Sequence, residues 1–69
     1  MKLSARNQIS ATVTAVTSGE ATANVVLDAG GSRLVASITV EAANELKLAP
    51  GSQVTAIIKA SDVILAVAD

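Results

Sequence analysis

Residues 9–38 have the sequence ISATVTAVTSGEATANVVLDAGGSRLVASI, in which apolar and polar side chains alternate in three runs. The runs cover residues 9–17, 21–28 and 33–38. Alternation with a period of two, in runs rich in Val and Thr, is typical of β-strands that bury one face. Gly-containing segments at residues 18–20 and 28–32 separate the runs and predict tight turns. The stretch therefore predicts three consecutive strands.

The pattern changes at Thr39, which is the predicted N-cap of a helix. Apolar residues then recur at helical spacing, at Val40, Ala43 and Leu46. Acidic residues lie early in this segment and a lysine lies late, an order that suits the helix dipole. Pro50-Gly51 follows and turns the chain. We expect one short helix here.

Two further strands are predicted after this helix. The fourth covers Gln53–Lys59, and the fifth carries apolar side chains at Val63, Leu65 and Val67. Three strands, one short helix and two strands is the element order of an OB-like Greek-key barrel. We therefore expect an all-β fold, a five-stranded OB-like Greek-key barrel with the helix between strands 3 and 4. Residues 1–69 are expected to form a single domain.

The composition restricts the possible functions. The chain has no His, Cys, Phe, Tyr or Trp, and its formal net charge is −1. Single-stranded nucleic-acid binding relies on stacking aromatics and a positive groove, so this class is disfavoured. Without His or Cys the chain also cannot form the usual pairing of a nucleophile with a basic His, and we expect that the protein is not an enzyme. No segment resembles a signal peptide or a membrane span, so we expect a cytoplasmic protein with no nucleic-acid or membrane partner.

The small core suggests self-association. Domains below roughly 70–80 residues usually need disulfides, a metal or oligomerisation for stability, and this chain has no Cys. Several apolar residues also fall on the strand faces opposite the predicted core, where a contiguous patch would mark an interface. These residues are Val16, Val26, Val35, Ile57 and Ile64. A homo-oligomer is therefore expected.

Two polar clusters flank the strands. Ser4-Ala5-Arg6-Asn7 precedes the first strand, and Lys59-Ala60-Ser61 follows the fourth. Together they offer two cations, two hydroxyls, an amide and backbone N–H groups, which is the mixture of donors that a tetrahedral dianion accepts. Taken alone, Arg6 and Lys59 also fit the simpler interpretation of ordinary surface charges.

The motifs resemble those of the Mop proteins (molbindins), which bind molybdate, and of related TOBE domains in molybdate regulators and transporters. The resemblance covers essentially the whole chain, in order. It is carried by Ser4-Ala5-Arg6-Asn7-Gln8, Val26-Leu27-Asp28, Ser37-Ile38-Thr39, Glu45-Leu46-Lys47-Leu48, Pro50-Gly51 and Ile58-Lys59-Ala60-Ser61.

The resemblance implies a barrel that binds molybdate, and often tungstate, at the subunit interfaces of a homohexamer arranged as a trimer of dimers. It implies a role in intracellular molybdenum storage or homeostasis. The implied molybdate-binding residues are Ser4, Ala5, Arg6, Asn7, Thr39, Lys59, Ala60 and Ser61, with Ala5 and Ala60 acting through backbone amides. Asn7, together with Gln8, is expected to orient the motif.

Assembly is expected to bring Arg6 of one chain beside Lys59 of another, where a bound dianion relieves their repulsion. One alternative is an assembly or regulatory module with weak or unused anion sites.

Overall fold

The protein forms one antiparallel sheet with a short helix. A computed structural model describes residues 2–69. Its strands are β1 (Asn7–Ser18), β2 (Thr22–Ala29), β3 (Ser32–Thr39) and β4 (Gln53–Ile58). Helix α1 (Val40–Glu45) follows β3, and a single 3₁₀ turn (Ala60–Asp62) follows β4. The strand order is β3-β2-β1-β4, and the predicted all-β class with one short helix between strands 3 and 4 is confirmed.

The core lies on one face of β1 and β2. Ala11, Val13, Val25 and Leu27 form its buried cluster. All four lie on the strand faces that the alternation predicts to be buried. Two of the four side chains are valine and one is alanine, so each strand removes little apolar surface from water.

A β-bulge divides β1 into two halves. The first half pairs with β4 and the second half pairs with β2, with a register shift between Val13 and Ala15. The extra residue changes the phase of the alternation, since neighbouring side chains point to opposite faces. Val16 consequently packs against the core cluster. The prediction that Val16 lies on the outer face was wrong for this reason.

Helix α1 begins as predicted. The Oγ1 atom of Thr39 accepts a hydrogen bond from the Ala42 N–H at 3.0 Å, which satisfies one of the unpaired amides of the first turn. The Val40 N–H donates to the Ala21 carbonyl at 2.9 Å and ties the helix start to the chain before β2. Ala43 is the buried residue of the helix.

The predicted fifth strand is not confirmed. Residues 63–69 form no strand in the described chain, and Ile64, Leu65 and Val67 are 93%, 87% and 91% exposed. The sheet therefore keeps two edges, β3 and β4, and the five-stranded barrel remains a prediction.

Candidate anion-binding site

The two polar clusters adjoin within one chain. Asn7 pairs with Ile58 at the end of the β1–β4 ladder, and its Nδ2 donates a hydrogen bond to the Ile58 carbonyl at 3.1 Å. Continuing the antiparallel register by one residue sets Arg6 opposite Lys59. Sequence reasoning expected these two cations to approach across a subunit boundary. The ladder brings their segments to the same end of the sheet within one chain, and the approach across a subunit boundary stays a prediction.

We expect both cations on the outer face of the sheet. Arg6 and Lys59 are each one residue beyond the last pair of the ladder. Continued by that residue, the alternation puts both on the face opposite Ala11 and Val13, which are core-facing. A contact further along the same face supports this arrangement, since the Thr12 Oγ1 donates to Gln53 Oε1 at 3.4 Å.

The charge pattern at this end of the sheet favours an anion. Like charges directly opposite each other on neighbouring strands are destabilising, and both Arg6 and Lys59 are exposed. An oxyanion between them would turn repulsion into two charge-assisted hydrogen bonds. The hydroxyls of Ser4 and Ser61 are exposed beside the same two segments. Asp62 contributes one negative charge next to them.

The 3₁₀ turn holds the Lys59–Ser61 segment in a compact shape. The Asp62 N–H donates to the Lys59 carbonyl at 2.9 Å, and the Val63 N–H donates to the Ala60 carbonyl at 3.3 Å. Ala60 and Ser61 are exposed, and Ala5 is half-buried in the facing segment. Both clusters thus contain residues that are at least partly exposed to solvent.

Thr39 is not brought to this site within one chain. It pairs with Thr22, beyond the end of β1 that carries Ser18, whereas Asn7 lies at the other end of β1. An extended strand of this length spans on the order of 35 Å. Thr39 can therefore contact the same anion only from another copy of the chain.

An open apolar cleft lies between the two sheet edges, with a volume of about 310 Å³. The sequence predicted a fifth strand and a closed barrel, and it therefore predicted no such cleft. The cleft follows from the strand order, which leaves β3 and β4 each with one unpaired edge.

Within residues 2–69, no group of three or more His, Cys, Asp and Glu side chains is placed to hold a metal ion. No helix in the same part of the chain has the length and apolar character needed to cross a membrane.

The fold and the cationic strand end define a small all-β domain whose structural neighbours are OB-like. A family model described as the TOBE domain matches residues 3–65. The chain belongs to the TOBE domain family, and the predicted family is confirmed.

The relatives have names connected with molybdenum. Molybdenum-pterin-binding protein 3 of Clostridium pasteurianum is 41% identical over 66 residues, which is 94% of this chain and 97% of the relative. The molybdenum transport protein ModE of Herbaspirillum seropedicae is 46% identical over 94% of this chain. This chain spans only 24% of that protein's length.

The solved structures that resemble this chain are also molybdate-binding proteins. A molybdate-binding protein from Sporomusa ovata has a TM-score of 0.91 and 41% identity, covering 96% of this chain and 98% of the other. The cytoplasmic molybdate-binding protein ModG, solved with molybdate bound, has a TM-score of 0.89 and 43% identity. That match covers 93% of this chain and 46% of ModG.

Proposed function

We propose that this chain binds molybdate as a single domain formed by residues 1–69. The observation that carries the proposal is the pairing of Asn7 with Ile58, which brings the two polar clusters to the same end of the β1–β4 ladder, with Arg6 and Lys59 as the next residue of each segment. The names of the similar proteins, which refer to molybdate and to molybdenum-pterin binding, support the choice of ligand. Tungstate, another tetrahedral dianion, is a second ligand of the same site.

Each residue of the site has a proposed role. Arg6 and Lys59 supply the positive charge, and Ser4 and Ser61 donate hydroxyl hydrogen bonds. The backbone N–H groups of Ala5 and Ala60 complete the donor set around the oxygens. Asn7 positions the first cluster through its bond to the Ile58 carbonyl. Thr39 contributes its hydroxyl from a neighbouring copy.

The site of one chain is open to solvent, which favours completion by a second subunit. We propose a homo-oligomer, a hexamer built as a trimer of dimers, with anions at the interfaces. Its role is the intracellular storage or homeostasis of molybdenum in the cytoplasm, and the description of ModG as cytoplasmic supports that location. The proposal includes no catalysis, no nucleic-acid partner and no membrane partner.

Substitution of the two cations tests the site. Arg6→Ala and Lys59→Ala each remove charge-assisted hydrogen bonds that contribute roughly 1.5–3 kcal/mol, so the affinity for molybdate should fall by about tenfold to a hundredfold. Arg33→Ala is the matched control, because Arg33 lies in β3 opposite Asp28 and outside the site. Isothermal titration calorimetry measures all three. Wild-type affinity in both cation variants would remove the site from consideration.

An assembly or regulatory module with weak anion sites is the second candidate. It is favoured by the exposed apolar C-terminal residues and by a relative, ModE, of which this chain spans only a quarter. Equilibrium dialysis separates the two functions. A storage protein retains molybdate near stoichiometrically when free anion is scarce, and an assembly module retains little.

A further inference from the structure

Asp62 is an acidic residue beside the proposed anion site, and the proposed binding chemistry gives it no role. It ends the 3₁₀ turn (Ala60–Asp62), which follows Lys59 directly. Its side chain is exposed, as is that of Lys59. An ionised carboxylate only accepts hydrogen bonds, so it cannot join the donors around an unprotonated oxyanion. A negative charge at this position therefore acts against the ligand.

The turn keeps the acidic residue close to the lysine. The Asp62 N–H donates to the Lys59 carbonyl at 2.9 Å, and a turn closed in this way keeps the two Cα atoms within about 7 Å of each other. The lysine ammonium is a compact charge on a flexible stem, so it can pair with the Asp62 carboxylate or with an anion held beside Ser61. The carboxylate thus competes with the ligand for the Lys59 ammonium.

The other acidic side chains of the strands and the helix are remote from this end of the sheet. Asp28 pairs with Thr12, five residues along β1 from Asn7, which corresponds to about 17 Å. It also has Arg33 directly opposite. The two acidic residues of α1 lie beyond the other end of β1. Exposed charges are largely screened beyond about 8 Å at physiological ionic strength, so Asp62 is the acid of these elements that acts on the site.

We propose that Asp62 sets the affinity of the anion site. Its carboxylate pairs with the Lys59 ammonium when the site is empty and repels the dianion when the site is filled. The anion is therefore held less tightly than Arg6 and Lys59 would hold it in the absence of this charge. The inference rests on the proposed function, and it adds regulation to the same site: the competing charge favours release of the anion when its free concentration falls.

Substitution of Asp62 in the full-length chain tests this role. Asp62→Asn removes the charge and keeps a side chain of the same shape that is equally suited to turns. Molybdate is titrated calorimetrically into both proteins at low salt. Asp62→Asn should bind molybdate about threefold to tenfold more tightly than the wild type, which is the size expected for one exposed charge acting on a dianion roughly 7–10 Å away in water. Asp62→Glu keeps the charge and should bind like the wild type.

Asp28→Asn is the matched control, because it makes the same change of charge at a remote position. The Asp28 Oδ1 accepts a hydrogen bond from the Gly31 N–H at 3.0 Å, and the amide oxygen of asparagine can accept the same bond. The fold of the β2–β3 turn is therefore kept. Asp28→Asn should bind molybdate with wild-type affinity.

The salt dependence of the affinities separates a charge effect from a structural one. The Debye length falls from about 30 Å at 0.01 M to about 3 Å at 1 M ionic strength. The ratio of the Asp62→Asn affinity to the wild-type affinity should therefore approach one as sodium chloride is added. A purely structural role of Asp62 gives a ratio that does not change with salt.

The outcomes distinguish this inference from the proposed function. Wild-type or weaker affinity in Asp62→Asn, an equal gain in Asp62→Glu, or a ratio that is independent of salt would overturn the role of Asp62 and leave molybdate binding in place. A wild-type chain that binds no molybdate would overturn both.

Discussion

At the scale of single residues, the two polar clusters and the helix cap lie at opposite ends of β1. Asn7 joins the two polar clusters through the Ile58 carbonyl, while Thr39 caps α1 by accepting from the Ala42 N–H. Both roles use short polar side chains to satisfy the backbone. Thr39 therefore has a structural role in each chain, whatever it contributes to a neighbouring copy.

The cap of α1 gives a residue-scale prediction. Thr39→Ala should lower the free energy of unfolding by about 0.5–2 kcal/mol, because the Ala42 N–H loses its acceptor. Thr39→Ser keeps the hydroxyl and should differ little from the wild type. Urea unfolding without molybdate measures both. Equal stability of Thr39→Ala and Thr39→Ser would contradict the role of the cap.

At the scale of elements, the bulge in β1 decides which side chains reach the core. Val16 packs inward although the alternation of residues 9–17 places it outward. Val16→Ala should therefore lower the free energy of unfolding by about 1 kcal/mol, in line with the loss of two partly buried methyl groups. Thr17→Ala, at an exposed position in the same strand, should change it by less than about 0.5 kcal/mol. Similar losses in both variants would contradict the bulge.

The sequence predicted most of these elements because their causes are local. Period-two alternation, the glycines of the β2–β3 turn and the Thr39 cap act over a few residues, and the four strands and the helix lie where the patterns place them. The bulge was not predicted because the apolar and polar residues of the run 9–17 continue to alternate through it. The placement of Val63–Asp69 depends on contacts distant in sequence, so alternation alone predicted a strand without identifying its neighbours.

The residues of the site stay a prediction. The residue types of the two clusters indicated an anion, since cations and hydroxyls are the donors an oxyanion needs. Their adjacency within one chain depends on the register between Asn7 and Ile58, which links residues far apart in sequence. The distance of Thr39 from that site depends on the strand order for the same reason.

At the scale of the whole molecule, one of the two clusters proposed to bind the anion adjoins the exposed apolar C-terminal residues. Lys59–Ser61 leads into the exposed C-terminal residues 63–69, and the 3₁₀ turn (Ala60–Asp62) begins within this cluster. An anion held by Lys59 and Ser61 would also fix the direction in which the segment leaves the sheet. Ligand binding is therefore expected to favour the assembled state.

This coupling predicts stabilisation by molybdate. Preferential binding to the folded, assembled state stabilises it by about 2.7 kcal/mol when the free anion is at a hundred times Kd. The melting temperature rises as a consequence. Differential scanning calorimetry with molybdate, sulfate or chloride at equal ionic strength measures the effect. The increase should be largest with molybdate and should be reduced in Lys59→Ala. A melting temperature that is the same in all three salts would contradict the coupling.

Native mass spectrometry with and without molybdate tests the central claim most directly, because it counts subunits and bound anions together. We predict an even-numbered oligomer that retains molybdate, and a loss of retained anion without loss of fold in Arg6→Ala/Lys59→Ala. A monomer that retains no molybdate, or equal retention by the wild type and the double variant, would contradict the account.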